Sequence, residues 1–349
     1  MTKSHEVVII GGGHNGLTVA GYLAKAGVDV CVVEALPVVG GGVVSAEVAA
    51  TGFKTDPCSV WHGVIQANPL ILNDELGLIS KFGLKYIKPE SQLSVLFPDD
   101  TYIILHRSLD KTCESIAKFS YHDAEAYKKF HDWAGKFLDI LSQGMFNPPA
   151  SFGSMVALMD QSEEGRDLLR SLMISGVDIC DDWFESPELK SALTKFCAEA
   201  LFSPRAKGTG FTLFTYIPLM HKYGGAIPVG GSGALSEAMG RCILHYGGTI
   251  LTNSAVDKVI VRSGEAKGVI LKSGEEILAG KAVISNLNAK QISALVGKES
   301  VSERYSNGLK NLKLSSHRSI CMGYALHEPP NYTAGDETKP PSTISRGVL

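Results

Sequence analysis

The chain of 349 residues is long enough to bury a large core, and its length favours two domains. Its 33 basic and 36 acidic residues leave a net charge of −3, which excludes a broad electrostatic attraction to nucleic acid. Seven cysteines (Cys31, Cys58, Cys113, Cys180, Cys197, Cys242 and Cys321) are scattered singly without a C-x-x-C, which argues against thiol–disulfide exchange and for structural thiols in a reducing, cytoplasmic compartment.

Met1 to Glu6 lead straight into a strand, so no targeting segment is expected. Residues 5–34 then spell one β-α-β unit. Val7-Val8-Ile9-Ile10 and Val30-Cys31-Val32-Val33 predict two buried strands. Between them, Gly11-Gly12-Gly13-His14-Asn15-Gly16 predicts a glycine turn feeding a helix over 14–25. Its Leu17, Ala20, Gly21 and Ala24 recur at i, i+3, i+4 and i+7. Gly11 suits the tight turn, Gly13 a close approach of backbone to a pyrophosphate, and Gly16 contact between helix and sheet. The helix N-terminus offers unpaired N–H groups to phosphates. Glu34, 18 residues after Gly16, stands where an acid accepts hydrogen bonds from ribose hydroxyls. A bare G-x-G-x-x-G is weak evidence; with both strands, the helix and the acid in register, a dinucleotide site outweighs an ordinary glycine-rich turn.

Gly40-Gly41-Gly42 follow closely, and then Gly52-Phe53. A glycine pair just beyond the acid offers further bare backbone to a cofactor, with a flexible loop as the alternative. Residues 68–141 predict mostly helix around two strands, 93–97 and 102–105, joined by the turn Pro98-Asp99-Asp100-Thr101. Helix is predicted again over 163–200, with Ser186-Pro187-Glu188 as a start signal. Two uncharged stretches, 140–159 and 208–220, are too short or too interrupted by Pro and Gly to span a bilayer. They could line an apolar tunnel or make peripheral contact with a membrane, although packing inside the protein is the commoner meaning. From Gly233 the pattern is α/β again: a helix over 234–246 stopped by Gly247-Gly248, then strands at 249–251, 256–261, 268–271, 276–278 and 282–286.

The run Gly11 to Gly16 with His14-Asn15, the Glu34…Gly40-Gly41 spacing and Gly52-Phe53 resemble the phytoene desaturase-related FAD-dependent oxidoreductases, a group that includes monoamine oxidases. Ala226 to Ala238, with its Gly230-Gly231-Ser232-Gly233, and Ser203-Pro204 through Phe211 extend the similarity to about residue 330. The nearest branch is the one containing pyridine nucleotide-disulfide oxidoreductase domain-containing protein 2. The resemblance implies an α/β fold: a Rossmann-like FAD-binding domain (β-α-β plus β-meander), discontinuous over 1–67 and 225–300. It further implies an inserted α+β substrate domain over 68–224 and 301–330, followed by a flexible proline-rich tail, 331–349. The same resemblance implies FAD, held by Gly11, Gly12, Gly13, His14, Asn15, Gly16, Glu34, Gly40 and Gly41, with Val256 gripping the adenine through its backbone. On its residues alone, Val256 could equally be the first buried position of a meander strand.

Two departures stand out. Ala35-Leu36 occupy positions where the family often has a basic residue, and the family's distal flavin motif is missing, so the chain reads as the first two-thirds of a relative. Weaker FAD binding and slow turnover are the corresponding expectations. The implied chemistry is dehydrogenation of an apolar or amphipathic small molecule by hydride transfer to flavin N5. The alternatives are amine oxidation between aromatic walls, for which Tyr216 and Tyr223 are available, and a non-catalytic flavin fold acting through a partner. No Ser/His/Asp or metal-ligand spacing is present, and no catalytic residue is assigned. His221 is the one histidine considered for substrate chemistry, with a packed role the commoner outcome.

Overall fold

The computed structural model describes residues 3–148, 150–313, 320, 322–328, 330–335 and 344–346. The chain opens with β1 (Lys3–Ile10), α1 (His14–Lys25) and β2 (Val30–Val33), then a small ribbon of β3 (Ala46–Ala50) and β4 (Phe53–Thr55). After the short α2 (Pro69–Leu72) come β5 (Tyr86–Ile87) and the hairpin β6 (Ser91–Leu96) and β7 (Tyr102–His106). A helical run follows: α3 (Leu109–Ala117), α4 (Tyr121–Gly135), α5 (Leu138–Phe146), α6 (Phe152–Met159), α7 (Glu163–Met173), α8 (Gly176–Trp183), α9 (Pro187–Glu199) and α10 (Phe211–Tyr223). The chain returns through β8 (Ile227–Pro228), α11 (Gly233–His245), β9 (Thr249–Leu251), β10 (Val256–Arg262), β11 (Glu265–Leu271) and β12 (Glu276–Ser285). It continues into α12 (Ala289–Val296) and α13 (Glu303–Asn311). Within the proline-rich tail, β13 (Ile344–Arg346) lies parallel to β6.

One six-stranded sheet, in the order β10-β11-β12-β1-β2-β9, carries the glycine turn at its centre. The four strands β12, β1, β2 and β9 are parallel, and β10, β11 and β12 form an antiparallel meander. Successive side chains of a strand point to opposite faces. Val7, Ile9, Val30 and Val32 therefore enter one core with α1 and α11, while Val8, Ile10, Cys31 and Val33 enter another with the meander and α12. Both faces are covered, so β1 and β2 need continuous apolar runs rather than alternation. Each such side chain contributes roughly 1.5–3 kcal/mol on burial.

Leu70, Ile71, Leu76, Leu78, Phe82 and Leu84 pack into the core shared by α1 and α11. The expected boundary at 67/68 thus falls inside one packing unit. Residues 73–85 hold no helix, contrary to the helical pattern read there; positive φ at Asp74, Gly77 and Gly83 turns the chain three times. A second difference lies at 276–286, where one strand replaces the expected two. β12 runs on through Gly280 as its ladder with β1 shifts register between His5 and Val7. Three local signals agree with the structure: α1 covers 14–25, Ser186 caps α9 through the Leu189 N–H, and Gly247 (φ +86) follows α11. The uncharged stretch 208–220 becomes α10, the buried axis of the helical region, with Leu213, Phe214 and Ile217 fully enclosed. In the other uncharged stretch, Phe152 and Leu158 of α6 are exposed. No helix of the described residues is long and apolar enough to cross a membrane.

Candidate active site

The glycine turn is held by backbone and by one acid. The Gly11 N–H donates to the Val33 carbonyl (2.9 Å), and Gly11 takes φ +94, closed to most side chains. Glu34 lies buried beneath the turn. Its Oε2 accepts from the Gly12 N–H (2.7 Å) and its Oε1 from the Leu36 N–H (2.8 Å), leaving lone pairs on both oxygens for further donors. Leu36, where a basic residue was the family's habit, thus serves through its backbone. Gly13 precedes α1 with no side-chain cap, so the first N–H groups of the helix face outward. The second glycine pair is docked on the first: the Gly40 N–H donates to Gly12 O (2.7 Å), Gly40 bridges to Gly13, and a Cβ on Gly41 would come within 3.1 Å of Gly13 Cα. His14 and Asn15 stand exposed on the first turn, and Gly16 is buried against Gly11. Val256 opens β10 two residues after Ser254, whose N–H donates to the Glu34 carbonyl (2.7 Å). The fold thus brings Gly11 to Gly16, Glu34, Gly40 and Gly41 into one cradle and leaves Val256 beside its acid end.

A cavity of about 430 Å³ is lined by His14, Asn15 and Thr18 of α1 and, from the helical region, by Phe146, Glu199 and Tyr216. Its walls are mainly apolar, among them Val43, Trp61, Val64, Ile65, Leu70, Leu235 and Met239. The Trp61 indole lies between Gly63 and Gly225, where a Cβ would fall 2.1 and 1.8 Å from the ring. Tyr216 stacks on Phe196 with centroids 5.5 Å apart. Tyr223 instead packs with Ala67, Leu138 and Leu219, so these two tyrosines do not pair across the cavity.

Sequence reasoning missed His62, which the fold buries in the cavity wall. Its Nε2 donates to Ser232 Oγ (3.0 Å), whose own proton goes to the Ser59 carbonyl, and its Nδ1 accepts from the Tyr86 hydroxyl (3.1 Å). Asp56 accepts the Ser232 backbone N–H (3.0 Å) rather than a histidine proton, so this cluster of Asp, His and Ser staples loops and does not activate a nucleophile. Burial pushes His62 down to about 4. His221 is packed as well: Nδ1 donates to Arg107 O and Nε2 accepts from Tyr127 Oη, both 3.0 Å, and burial lowers it to about 4.

A pH dependence follows. Above about pH 6.5 both histidines are neutral whether the chain is folded or unfolded. Between 6.5 and 4 the unfolded chain binds protons that the folded chain refuses, so stability falls with pH, and below 4 this contribution is exhausted. Melting curves from pH 7 to 4 should show a shallower loss in His221→Gln than in the parent; parallel curves would mean that His221 takes up its proton at the same pH in the folded and unfolded chain.

The six described cysteines are all free thiols; Cys321 lies outside the described residues.

A model of the flavin containing amine oxidoreductases matches residues 16–324. The chain belongs to this family. It is 27% identical over 346 residues to a limonene dehydrogenase polypeptide of Castellaniella defragrans, covering 96% of this chain and 62% of that protein. To the rat pyridine nucleotide-disulfide oxidoreductase domain-containing protein 2 it is 29% identical over 309 residues, covering 79% and 52%. Two prolycopene isomerases of an Oncidium hybrid and a 4,4'-diapophytoene desaturase of a Methylomonas are similar at 24–26% identity, consistent with the resemblance to phytoene desaturase-related oxidoreductases. The chain thus spans between about half and two-thirds of the lengths of these relatives. Among solved structures, an oxidoreductase from Methanosarcina mazei shares the fold with a TM-score of 0.54 at 22% identity, over 88% of this chain and 65% of that one. An α/β flavoprotein fold and FAD as the cofactor are therefore borne out.

Proposed function

We propose that the protein is an FAD-dependent oxidoreductase that dehydrogenates an apolar or amphipathic small molecule. The observation that carries this is the continuity of the cradle with the cavity: the N-terminus of α1 opens into space walled chiefly by aliphatic and aromatic side chains. The residues present fit the cofactor. Gly13 and Gly41 approach each other as bare backbone, a Cβ on Gly41 falling 3.1 Å from Gly13 Cα, and Glu34 keeps acceptor capacity beneath them. Gly11 to Gly16 would hold the pyrophosphate, Glu34 the ribose, Val256 the adenine, and Gly40-Gly41 the stretch beyond. When bound, FAD supplies an acceptor for two electrons. Trp61, Val64, Ile65, Leu70 and Phe146 then orient an apolar substrate and exclude water. No side chain is assigned as a general base, because His62 has both nitrogens engaged within the wall.

The names of the relatives point the same way, limonene and diapophytoene being hydrocarbons. Amine oxidation is the weaker alternative, since Tyr216 reaches the cavity without Tyr223. The test is anaerobic mixing of the FAD-loaded chain with a terpene hydrocarbon, a carotene and a primary amine. Bleaching of the flavin by a hydrocarbon supports the proposal. Bleaching by the amine alone, or a stably bound flavin that none of them reduces, favours the amine reading or the partner-dependent one.

A further inference from the structure

The three glycines of the turn share one neighbour that the motif does not contain. A Cβ on Gly13 would meet Asn286 Nδ2 at 2.9 Å. On Gly16 it would lie 3.3 Å from both Asn286 Cβ and Nδ2, and on Gly11 3.6 Å from Asn286 Cβ. Asn286 is the first residue after β12, which lies parallel to β1, so both strands deliver their carboxyl ends to the same place. Its backbone is fixed on either side. The Asn286 N–H donates to Ile10 O (2.9 Å), and two residues later Asn288 starts α12 with a reciprocal cap to Gln291. An anchored backbone thus delivers the half-buried side chain of Asn286 against the uncapped start of α1.

We propose that Asn286 is a cofactor-positioning residue that donates its carboxamide N–H to the pyrophosphate held at Gly11–Gly16, an inference that rests on the flavin reading above. A carboxamide suits this place better than a charged group. It donates to a phosphate oxygen without the flexibility of lysine, and its short side chain stays within the glycine-lined strip. It also supplies a reason, besides the pyrophosphate, for the bare backbone at Gly13, where the end of the Asn286 side chain takes the space of a Cβ.

The test compares FAD, ADP and adenosine by titration of the apoprotein, with melting of the apoprotein as the control for folding. Asn286→Asp keeps the shape but sets a carboxylate against the pyrophosphate. It should weaken FAD and ADP by about tenfold or more and leave adenosine within about twofold. Asn286→Leu, of similar size and without the donor, should show the same pattern more mildly, and serves if the Asp variant does not fold. Unchanged ADP affinity in both variants overturns the inference, as does equal weakening of ADP and adenosine, which would mark a packing role. A parent chain that binds neither FAD nor ADP would instead overturn the flavin reading itself.

Discussion

Gly16→Val is expected to prevent the nucleotide-binding half from folding, whereas Gly13→Val should give a folded protein that retains no FAD. The two glycines are three residues apart and meet different obstacles. A Cβ on Gly16 would lie 2.3 Å from the Gly11 carbonyl oxygen, a backbone atom in a turn fixed by the Gly11 N–H to Val33. A backbone oxygen cannot rotate aside as a side chain does, so α1 would have to move off the sheet. The cost exceeds the roughly 1–3 kcal/mol of ordinary overpacking and is comparable to a domain's whole stability, about 5–15 kcal/mol. The obstacle at Gly13 is the end of the Asn286 side chain, which can move, and Gly13 has φ −67 and ψ 166, a conformation open to valine. The branched side chain would instead occupy the strip in front of the helix start, where a pyrophosphate must approach. Loss of affinity should exceed about a hundredfold. Circular dichroism melting separates the two variants, and flavin absorbance after desalting reads the site. Equal flavin content in Gly13→Val and the parent would remove this turn from the cofactor site.

The legible parts of the molecule were those written in contiguous residues. The β1–α1–β2 unit could be read because a local pattern of apolar runs, glycines and a terminal acid has few other structural meanings, and α1 and β2 formed where they were expected. Within the stretch read as mostly helix, 73–85 is instead an apolar but non-periodic segment: Leu76, Leu78 and Leu84 are buried without sharing a helical face, and Asp74, Gly77 and Gly83 turn the backbone. His62 could not be found at all. Its partner Ser232 is 170 residues away, and nothing local distinguishes a histidine that will be buried in a cavity wall from a solvated one. His221 shows the converse: an apolar neighbourhood drew attention to it, and the fold used it to join Tyr127 to the Arg107 carbonyl. Trp61 needed two glycines, one close by in sequence at Gly63 and one far along the chain at Gly225, to make its slot. Cavity walls are assembled from distant segments, and that is why the cradle was readable and the chamber beyond it was not.

Glu34→Ala is expected to weaken FAD binding by about tenfold to a hundredfold and to lower the stability of the apoprotein as well. The second effect arises because the carboxylate already serves the protein: without it the Gly12 N–H, beneath a turn where Glu34 is only 9% exposed, loses its acceptor, and so does the Leu36 N–H. An unsatisfied buried donor costs about 1–3 kcal/mol. Glu34→Gln separates the two roles. A carboxamide has one acceptor oxygen for two N–H donors, so one contact becomes N–H against N–H while the shape is kept. It also removes the negative charge that disfavours a 2′-phosphate, and discrimination against NADP should relax in that variant. Titrations of FAD and NADP, paired with apoprotein melting, check both statements. A lowered melting temperature with unchanged FAD affinity in Glu34→Ala would assign the carboxylate to holding the glycine turn and take the ribose contact away from it.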